Sequence, residues 1–136
     1  MNKKFSVLTK KKITKFNKTI LVESDKSISH RALLIASQCI GPSRLKGILE
    51  SEDIKNTIIC LKKLGVKILK ENKKYIVYGN GLGSFKKPHK KLLYAGNSGT
   101  LARMLIALMA THQDLKVKIS GDYSLNKRDM KRIMEP

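Results

Sequence analysis

Three short segments of this 136-residue chain place lysine or arginine beside residues that begin helices. The first is Asp25-Lys26-Ser27, with Arg31 about one turn further on. A helix amino terminus has free N–H groups and a partial positive charge, so a lysine there is favoured when an anion lies between the two. Lysine, a serine hydroxyl and an arginine fork together form a clamp for a carboxylate or phosphate. An ordinary capped helix with solvated charges is the alternative interpretation.

The second segment is a glycine-rich loop, GNSGT at residues 96–100, followed by Arg103. It lies between a predicted strand and a predicted helix, where α/β proteins bind anions, and glycine allows the backbone to approach a ligand closely. No lysine follows the second glycine, so the loop is not a Walker A motif, and the chain has no GxGxxG fingerprint of a dinucleotide site. A tight turn without a ligand is the alternative here.

The third segment, GDYSLNKR at residues 121–128, again has a strand end, a turn and a basic residue, Arg128, at a helix start. One such turn is weak support for a binding site. Because the arrangement occurs three times in one chain, we expect one shared site for a highly anionic ligand.

The histidines and cysteines do not indicate a metal site. The spacing of metal ligands is absent from the three histidines, His30, His89 and His112. We expect His30 to be a partly exposed helix residue. We expect His112 to interact with the dipole at a helix carboxyl terminus. Cys39 and Cys60 lie in apolar runs without CxxC spacing, so we expect small buried residues in a reducing compartment.

The elements that must position these segments are given by apolar periodicity and by turn residues. Strands are predicted over residues 5–9, 18–22, 43–49, 66–70, 75–79, 92–96 and 115–120. Helices are predicted over residues 27–39, 52–64 and 99–111, with the first turns of another helix over 126–136. Gly41-Pro42 is expected to end the first helix.

The order of these elements repeats. RALL at residues 31–34 and RMLI at 103–106 each lie four residues into an apolar helix, and a strand follows each at the same offset. The repeat predicts βαβαββ units, of which one and a half are present. The last predicted helix stops at Pro136 with an unpartnered apolar face, so we expect the N-terminal fragment of a longer protein.

Charge and composition narrow the classes of protein. Lys+Arg total 29 against 10 Asp+Glu, a formal charge of +19, and hydrophobic residues make up 41% of the chain, which argues against disorder. No apolar run is long enough for a transmembrane helix, and the basic start lacks the apolar region of a secretion signal. Only five of the 29 basic residues are arginine, and aromatics are 5%. A solvated lysine-rich surface is therefore favoured over a nucleic-acid-binding module, which is kept as an alternative.

Four segments, in order, resemble motifs of the 5-enolpyruvylshikimate-3-phosphate synthase family. They are DKSISHRALLIAS, SEDIKNTIICLKKLG, YAGNSGTLARMLIALMA and GDYSLNKRDMKRIMEP, and the similarity runs from about residue 18 to the end. The resemblance implies an α/β fold of repeated βαβαββ units, the inside-out α/β barrel of enolpyruvyl transferases, truncated here. Residues 1–24 would then be strands of the other, mostly missing domain, and residues 25–136 a partial enolpyruvyl transferase domain.

The resemblance also implies an activity: transfer of the enolpyruvyl group of phosphoenolpyruvate to the 5-hydroxyl of shikimate 3-phosphate, with release of phosphate, on the route to chorismate and the aromatic amino acids. It implies two small-molecule substrates, no metal or organic cofactor, no specific nucleic acid, no membrane, a monomeric full-length enzyme and a cytoplasmic location. The acidic catalytic residues of the family belong to segments beyond this chain. We therefore expect the chain alone to be inactive and to bind ligands weakly.

By the same resemblance, Lys26 is a catalytic residue that contacts both substrates, while Ser27 and Arg31 hold shikimate 3-phosphate. Gly99 and Arg128 would bind phosphoenolpyruvate. The residues expected to support the loop and the adjoining pocket are Asn97, Ser98, Thr100 and Arg103. Glyphosate occupies the phosphoenolpyruvate subsite in this family, and the glycine at position 99 implies a glyphosate-sensitive full-length enzyme.

The sequence differs from the family motifs at two places, and a sister enzyme is the alternative to this family. Glu23-Ser24 stand where the family usually has Pro-Gly, and Asp129 stands where it has proline, able either to cap a helix or to pair with the preceding arginine. The rival is the sister enzyme that transfers enolpyruvyl to UDP-N-acetylglucosamine, which typically follows the first lysine with asparagine. Ser27 and Arg31 favour the shikimate branch.

Overall fold

The computed structural model describes residue 22, residues 24–112 and residues 114–135. The strand predicted over residues 5–9 lies outside the described residues, and so does nearly all of the strand predicted over 18–22. The expectation that residues 1–24 belong to a second domain lies largely outside them as well.

Helices and strands follow one another in the predicted order. The helices are α1 (Lys26–Gln38), α2 (Glu52–Lys63), α3 (Gly99–Met109), α4 (Tyr123–Asn126) and α5 (Lys131–Met134). The strands are β1 (Ile40–Lys46), β2 (Lys67–Glu71), β3 (Lys74–Asn80), β4 (Leu92–Tyr94) and β5 (Lys118–Ser120). Predicted and observed ends of the three long helices agree to within two residues.

Side-chain caps fix where the three long helices begin. Asp25, Ser51 and Ser98 precede α1, α2 and α3, and each side chain accepts a hydrogen bond from the N–H three residues later, over 2.6, 3.5 and 3.2 Å. A polar side chain that satisfies a free N–H in the first turn stabilises a helix by about 1 kcal/mol. The positions of Lys26 and Gly99 at the helix starts follow from these caps.

The strands form two sheets. β1, β3 and β2 make an antiparallel sheet in that order, and the β2–β3 hairpin turns at Asn72 and Lys73, which both have positive φ. β4 and β5 pair in parallel, with Leu93 opposite Ile119, and α3 connects them. Because parallel strands end at the same edge of a sheet, the loops after β4 and β5 emerge side by side.

Apolar faces of the long helices meet the sheets in one buried core. Its largest fully buried side chains include Leu33, Ile54, Leu61, Leu93, Leu101 and Leu105. Burial of each such side chain stabilises the fold by about 1.5–3 kcal/mol. This core holds the amino termini of α1, α2 and α3 in fixed relation to one another.

The first strand is placed differently from the prediction. β1 begins at Ile40, so Gly41 and Pro42 belong to the strand rather than to a loop that ends α1. Among the described strands β1 lies at the edge of its sheet, with β3 as its neighbour, and Pro42 lies opposite Tyr78. An edge strand tolerates proline, because the missing N–H faces away from the ladder. The predicted start at residue 43 was therefore wrong.

The carboxyl-terminal segment also differs, since two short helices replace the single predicted one. Residues 127–130 separate α4 from α5. Asp129 accepts a hydrogen bond from the N–H of Lys131 over 2.8 Å, so this carboxylate caps α5, one of the two roles left open for it. Arg128 consequently lies in the connection between the helices and not on a helix.

Candidate anion-binding site

Lys26 begins α1 and forms an ion pair with α2. Its Nζ atom donates to Oδ2 of Asp53 over 2.9 Å, and the two side chains are 50% and 19% exposed. Asp53 lies in the first turn of α2, where the helix dipole favours a carboxylate. The anionic group beside Lys26 in this structure is therefore a carboxylate of the protein itself. The ion pair joins the amino termini of α1 and α2.

Arg128 joins the second and third motifs. Its Nη2 atom donates to Oδ1 of Asn97 over 2.7 Å, and Asn97 Nδ2 donates in turn to Oδ2 of Asp122 over 2.6 Å. The pKa of Asp122 is lowered, first by the hydrogen bond from the N–H of Leu125 and then by the bond from Asn97. Two motifs that are far apart in sequence thus form one hydrogen-bonded group at the sheet edge.

Gly99 lies directly against the same guanidinium. A Cβ atom built on Gly99 would stand 2.7 Å from Nη1 of Arg128, closer than real Cβ atoms come to other atoms. The absence of a side chain at this position is therefore what allows Arg128 to lie over the start of α3.

His30 is completely buried, so the expectation of a partly exposed residue was wrong. Its Nδ1 atom lies 2.7 Å from Oγ1 of Thr57 on α2, and its Nε2 atom lies 3.2 Å from Oγ of Ser98, the cap of α3. Burial lowers the pKa of His30; the nearby Asp53 carboxylate raises it and Lys26 lowers it further, both to a smaller extent. The ring connects α1 with α2 and α3.

The remaining predicted residues take no part in the hydrogen bonds of Lys26, His30, Asn97 and Arg128. Ser27 is half-buried in the first turn of α1, and Arg31 lines an apolar groove of about 480 Å³ between α1 and α3. Thr100 and Arg103 lie half-buried on α3. The Nε atom of Arg103 is buried and finds no hydrogen-bond partner among the described residues. The site therefore has two hydrogen-bonded halves, one around Lys26 and one around Arg128, with Arg31 to one side.

Asp53 and His30 were missed as site residues from the sequence. Nothing local distinguishes Asp53 from any acid in a first helical turn, because its ion pair with Lys26 is a tertiary contact. A signal did exist for His30: it shares the spacing i, i+3, i+4, i+7 with the buried residues Leu33, Leu34 and Ser37. That spacing places the ring on the buried face of α1.

The two cysteines differ in exposure. Cys60 is buried as expected, and burial raises the pKa of its thiol to about 11. Cys39 is exposed, contrary to the prediction, because α1 ends at Gln38 and the chain leaves the core there for the edge strand β1.

No group of His, Cys, Asp or Glu suited to a metal ion occurs among the described residues. Within the same residues no helix is long and apolar enough to cross a membrane.

The fold and the site together define an α/β protein with a candidate anion-binding site, in which a lysine and a glycine-rich loop lie at helix starts. A family model described as EPSP synthase (3-phosphoshikimate 1-carboxyvinyltransferase) matches residues 10–136. The chain belongs to this family.

Relatives and solved structures agree with that membership. The chain is 42% identical over 117 residues to 3-phosphoshikimate 1-carboxyvinyltransferase of Syntrophomonas wolfei, covering 86% of this chain and 27% of that protein. It is 43% identical over 129 residues to the protein of that name from Oenococcus oeni, covering 95% and 29%. A structure of EPSP synthase from Acinetobacter baumannii matches with a TM-score of 0.75 and 34% identity over 85% of this chain and 26% of that chain.

The predicted fold class, the enolpyruvyl transferase fold, is confirmed by these matches. The chain spans between a quarter and a third of the length of the relatives that it matches.

Proposed function

We propose that a protein containing this chain transfers the enolpyruvyl group of phosphoenolpyruvate to the 5-hydroxyl of shikimate 3-phosphate. The observation that carries the proposal is the contact of Arg128 with Asn97 and Gly99, because it unites two of the predicted anion-binding motifs. The shared name of the curated relatives supports the same reaction and the shikimate branch over transfer to UDP-N-acetylglucosamine.

Each half of the site is suited to one substrate. In the proposal, Lys26, Ser27 and Arg31 hold shikimate 3-phosphate at the start of α1. Phosphoenolpyruvate lies against Gly99 and the guanidinium of Arg128, and Lys26 contacts both substrates. An incoming phosphate or carboxylate would replace Asp53 as the partner of Lys26. Both side chains of the ion pair are partly exposed, so an incoming anion can reach them from solvent.

The chemistry requires charge stabilisation and proton transfer. The 5-hydroxyl gives its proton to a base as its oxygen adds to the substituted alkene carbon of phosphoenolpyruvate, and the CH₂ carbon takes up a proton from an acid to give a tetrahedral intermediate. Phosphate then leaves, and loss of a proton from the new methyl group restores the double bond. Lys26 and Arg128 would stabilise the negative charge on the phosphate through both steps. The acids and bases would come from family segments that this chain does not span.

The remaining features of the proposal rest on the resemblance to the family. Its partners are the two phosphorylated substrates, and the full-length enzyme is a glyphosate-sensitive cytoplasmic monomer. Residues 1–24 would belong to a second domain, and the site would lie between that domain and the one formed by residues 25–136.

A binding experiment tests the assignment of Lys26 on this chain. Shikimate 3-phosphate and phosphoenolpyruvate are titrated into the ¹⁵N-labelled chain and its Lys26→Ala variant, with Lys67→Ala as a matched control. Lys67 is an exposed lysine on β2, so its replacement removes the same charge away from the site. We expect saturable binding that Lys26→Ala abolishes and Lys67→Ala preserves. Equal weakening in both variants, together with tight and steeply salt-dependent RNA binding, would instead indicate a general polyanion-binding surface.

A further inference from the structure

A continuous row of hydrogen bonds passes through the core beneath the site. It runs from the N–H of Leu101 to Oγ of Ser98 (3.2 Å), from Ser98 to Nε2 of His30 (3.2 Å), from Nδ1 of His30 to Oγ1 of Thr57 (2.7 Å), and from Thr57 to the carbonyl oxygen of Asp53 (3.0 Å). His30, Thr57 and Ser98 are each at most 3% exposed. The row therefore connects α3, α1 and α2 out of contact with solvent.

The number of protons available determines which group donates in each of these hydrogen bonds. The Thr57 hydroxyl has one proton, which it donates to the Asp53 carbonyl oxygen 3.0 Å away, because a carbonyl oxygen can only accept. Thr57 can then only accept from His30, so Nδ1 carries the ring proton. In the neutral ring Nε2 is left as an acceptor, so Ser98 donates to it while the Ser98 oxygen accepts from Leu101.

A charged ring would break this arrangement. Protonated Nε2 would face the Ser98 oxygen as a donor, and the Ser98 hydroxyl proton would lose its acceptor in a buried site. The charged groups that face the ring are Asp53 from α2 and Lys26 from α1, which act on it in opposite directions. Burial of the ring has the largest effect on its pKa and favours the neutral form.

We propose that His30 is a positioning residue of the site. As a neutral imidazole with its proton on Nδ1, it fixes the start of α3, with Ser98 and Gly99, against the helices that bear Lys26 and Asp53. The inference rests on the proposed function, because the loop that it positions is the proposed phosphoenolpyruvate subsite. Ser98 immediately precedes Gly99, and Gly99 lies against the guanidinium of Arg128. A displacement of Ser98 would therefore move Gly99 and change its contact with the guanidinium.

The ring's protonation state gives the first test, and it is independent of any ligand. Two-bond ¹H–¹⁵N correlation spectra of the ¹⁵N-histidine-labelled chain at about pH 7.5 show which ring nitrogen carries the proton. We expect the Nδ1–H form for His30, and the same form in Ser98→Ala, because Thr57 still accepts from Nδ1. A His30 ring in the Nε2–H form, or a charged ring at this pH, would overturn the proposal.

Ligand binding gives the second test, with Ser51→Ala as the control for Ser98→Ala. Both serines cap a helix by the same bond to the N–H three residues on, but only Ser98 also bonds to His30. We expect Ser98→Ala to weaken phosphoenolpyruvate binding at least about fivefold, with shikimate 3-phosphate binding unchanged, and Ser51→Ala to alter neither.

The outcomes separate the two proposals. Equal effects of the two serine variants would mean that capping alone matters and would contradict the role of His30. If the unmodified chain and its Lys26→Ala variant bound the substrates equally, or neither bound them, the result would count against the proposed function. The ring nitrogen spectra would still show whether His30 has its proton on Nδ1.

Discussion

Replacement of Gly99 by alanine tests the close contact at the start of α3. Gly99 has no positive φ to relieve, so alanine meets no backbone strain, and at a helix start it is at least as favourable as glycine. The new methyl group would stand 2.7 Å from Nη1 of Arg128, whereas ordinary contact begins at about 3.4 Å. The atom in the way is the end of a flexible side chain, so the guanidinium moves and the helix does not.

The size of the effect follows from the bond that this movement breaks. Arg128 Nη2 donates to Asn97 over 2.7 Å, and a displacement that clears the methyl group stretches this bond to the limit of hydrogen bonding. A charge-assisted bond of an exposed side chain contributes about 1 kcal/mol. We therefore expect Gly99→Ala to weaken phosphoenolpyruvate binding about fivefold and to change the free energy of unfolding by less than about 1 kcal/mol.

A double-mutant cycle provides the assay. Calorimetric titration with phosphoenolpyruvate is carried out on Gly99→Ala, on Asn97→Ala and on the double variant, and urea unfolding is measured on each. Because both changes act through the guanidinium of Arg128, their effects on affinity should not add. Additive effects, an unchanged affinity, or a loss of more than about 2 kcal/mol in stability would refute the argument that the side chain alone gives way.

Three further predictions concern charges and thiols. Asp53→Asn should tighten binding of inorganic phosphate severalfold in calorimetric titrations at low salt, because Lys26 loses its competing partner, and unchanged or weaker binding would contradict this. Native chain treated with iodoacetamide at about pH 8 should carry one label, on exposed Cys39, in its mass spectrum, whereas labelling of Cys60 should require urea. The free energy of unfolding should fall as the pH drops from about 7.5 to 5.5, because the unfolded chain binds a proton near the ordinary His30 pKa of 6.5 while the folded chain resists it. His30→Gln should flatten this dependence, and an equal slope in both chains would contradict the assignment.

Features fixed by local chemistry could be predicted from the sequence. The starts of the three long helices follow from Asp25, Ser51 and Ser98, whose side chains act within three residues of their own position. The order of the elements follows from apolar periodicity. The start of β1 could not be predicted, because proline is allowed there only by the strand's place at the sheet edge, which no local pattern records.

The candidate site was predictable in part, for a related reason. Lysine, arginine and glycine near helix starts indicate anion binding one helix at a time. Which helix start faces which depends on the tertiary packing. The pairing of Lys26 with Asp53, and the burial of His30 between Thr57 and Ser98, therefore became visible only in the structure.

The ties between the helix starts differ in how readily a ligand can replace them. The Lys26–Asp53 pair lies at the surface, and an anionic ligand would compete with the carboxylate for the lysine. The bond from Arg128 to Asn97 has a neutral acceptor and holds the guanidinium over the start of α3. The bonds of His30 are buried and neutral, so a charged ligand gains nothing by competing for them. In the proposed enzyme, an anionic substrate would therefore release the Lys26–Asp53 pair, while Arg128 stays on its loop and His30 keeps the three helices in place. This division would make Lys26, which is paired in the free protein, available to a ligand without loss of the geometry of the proposed site.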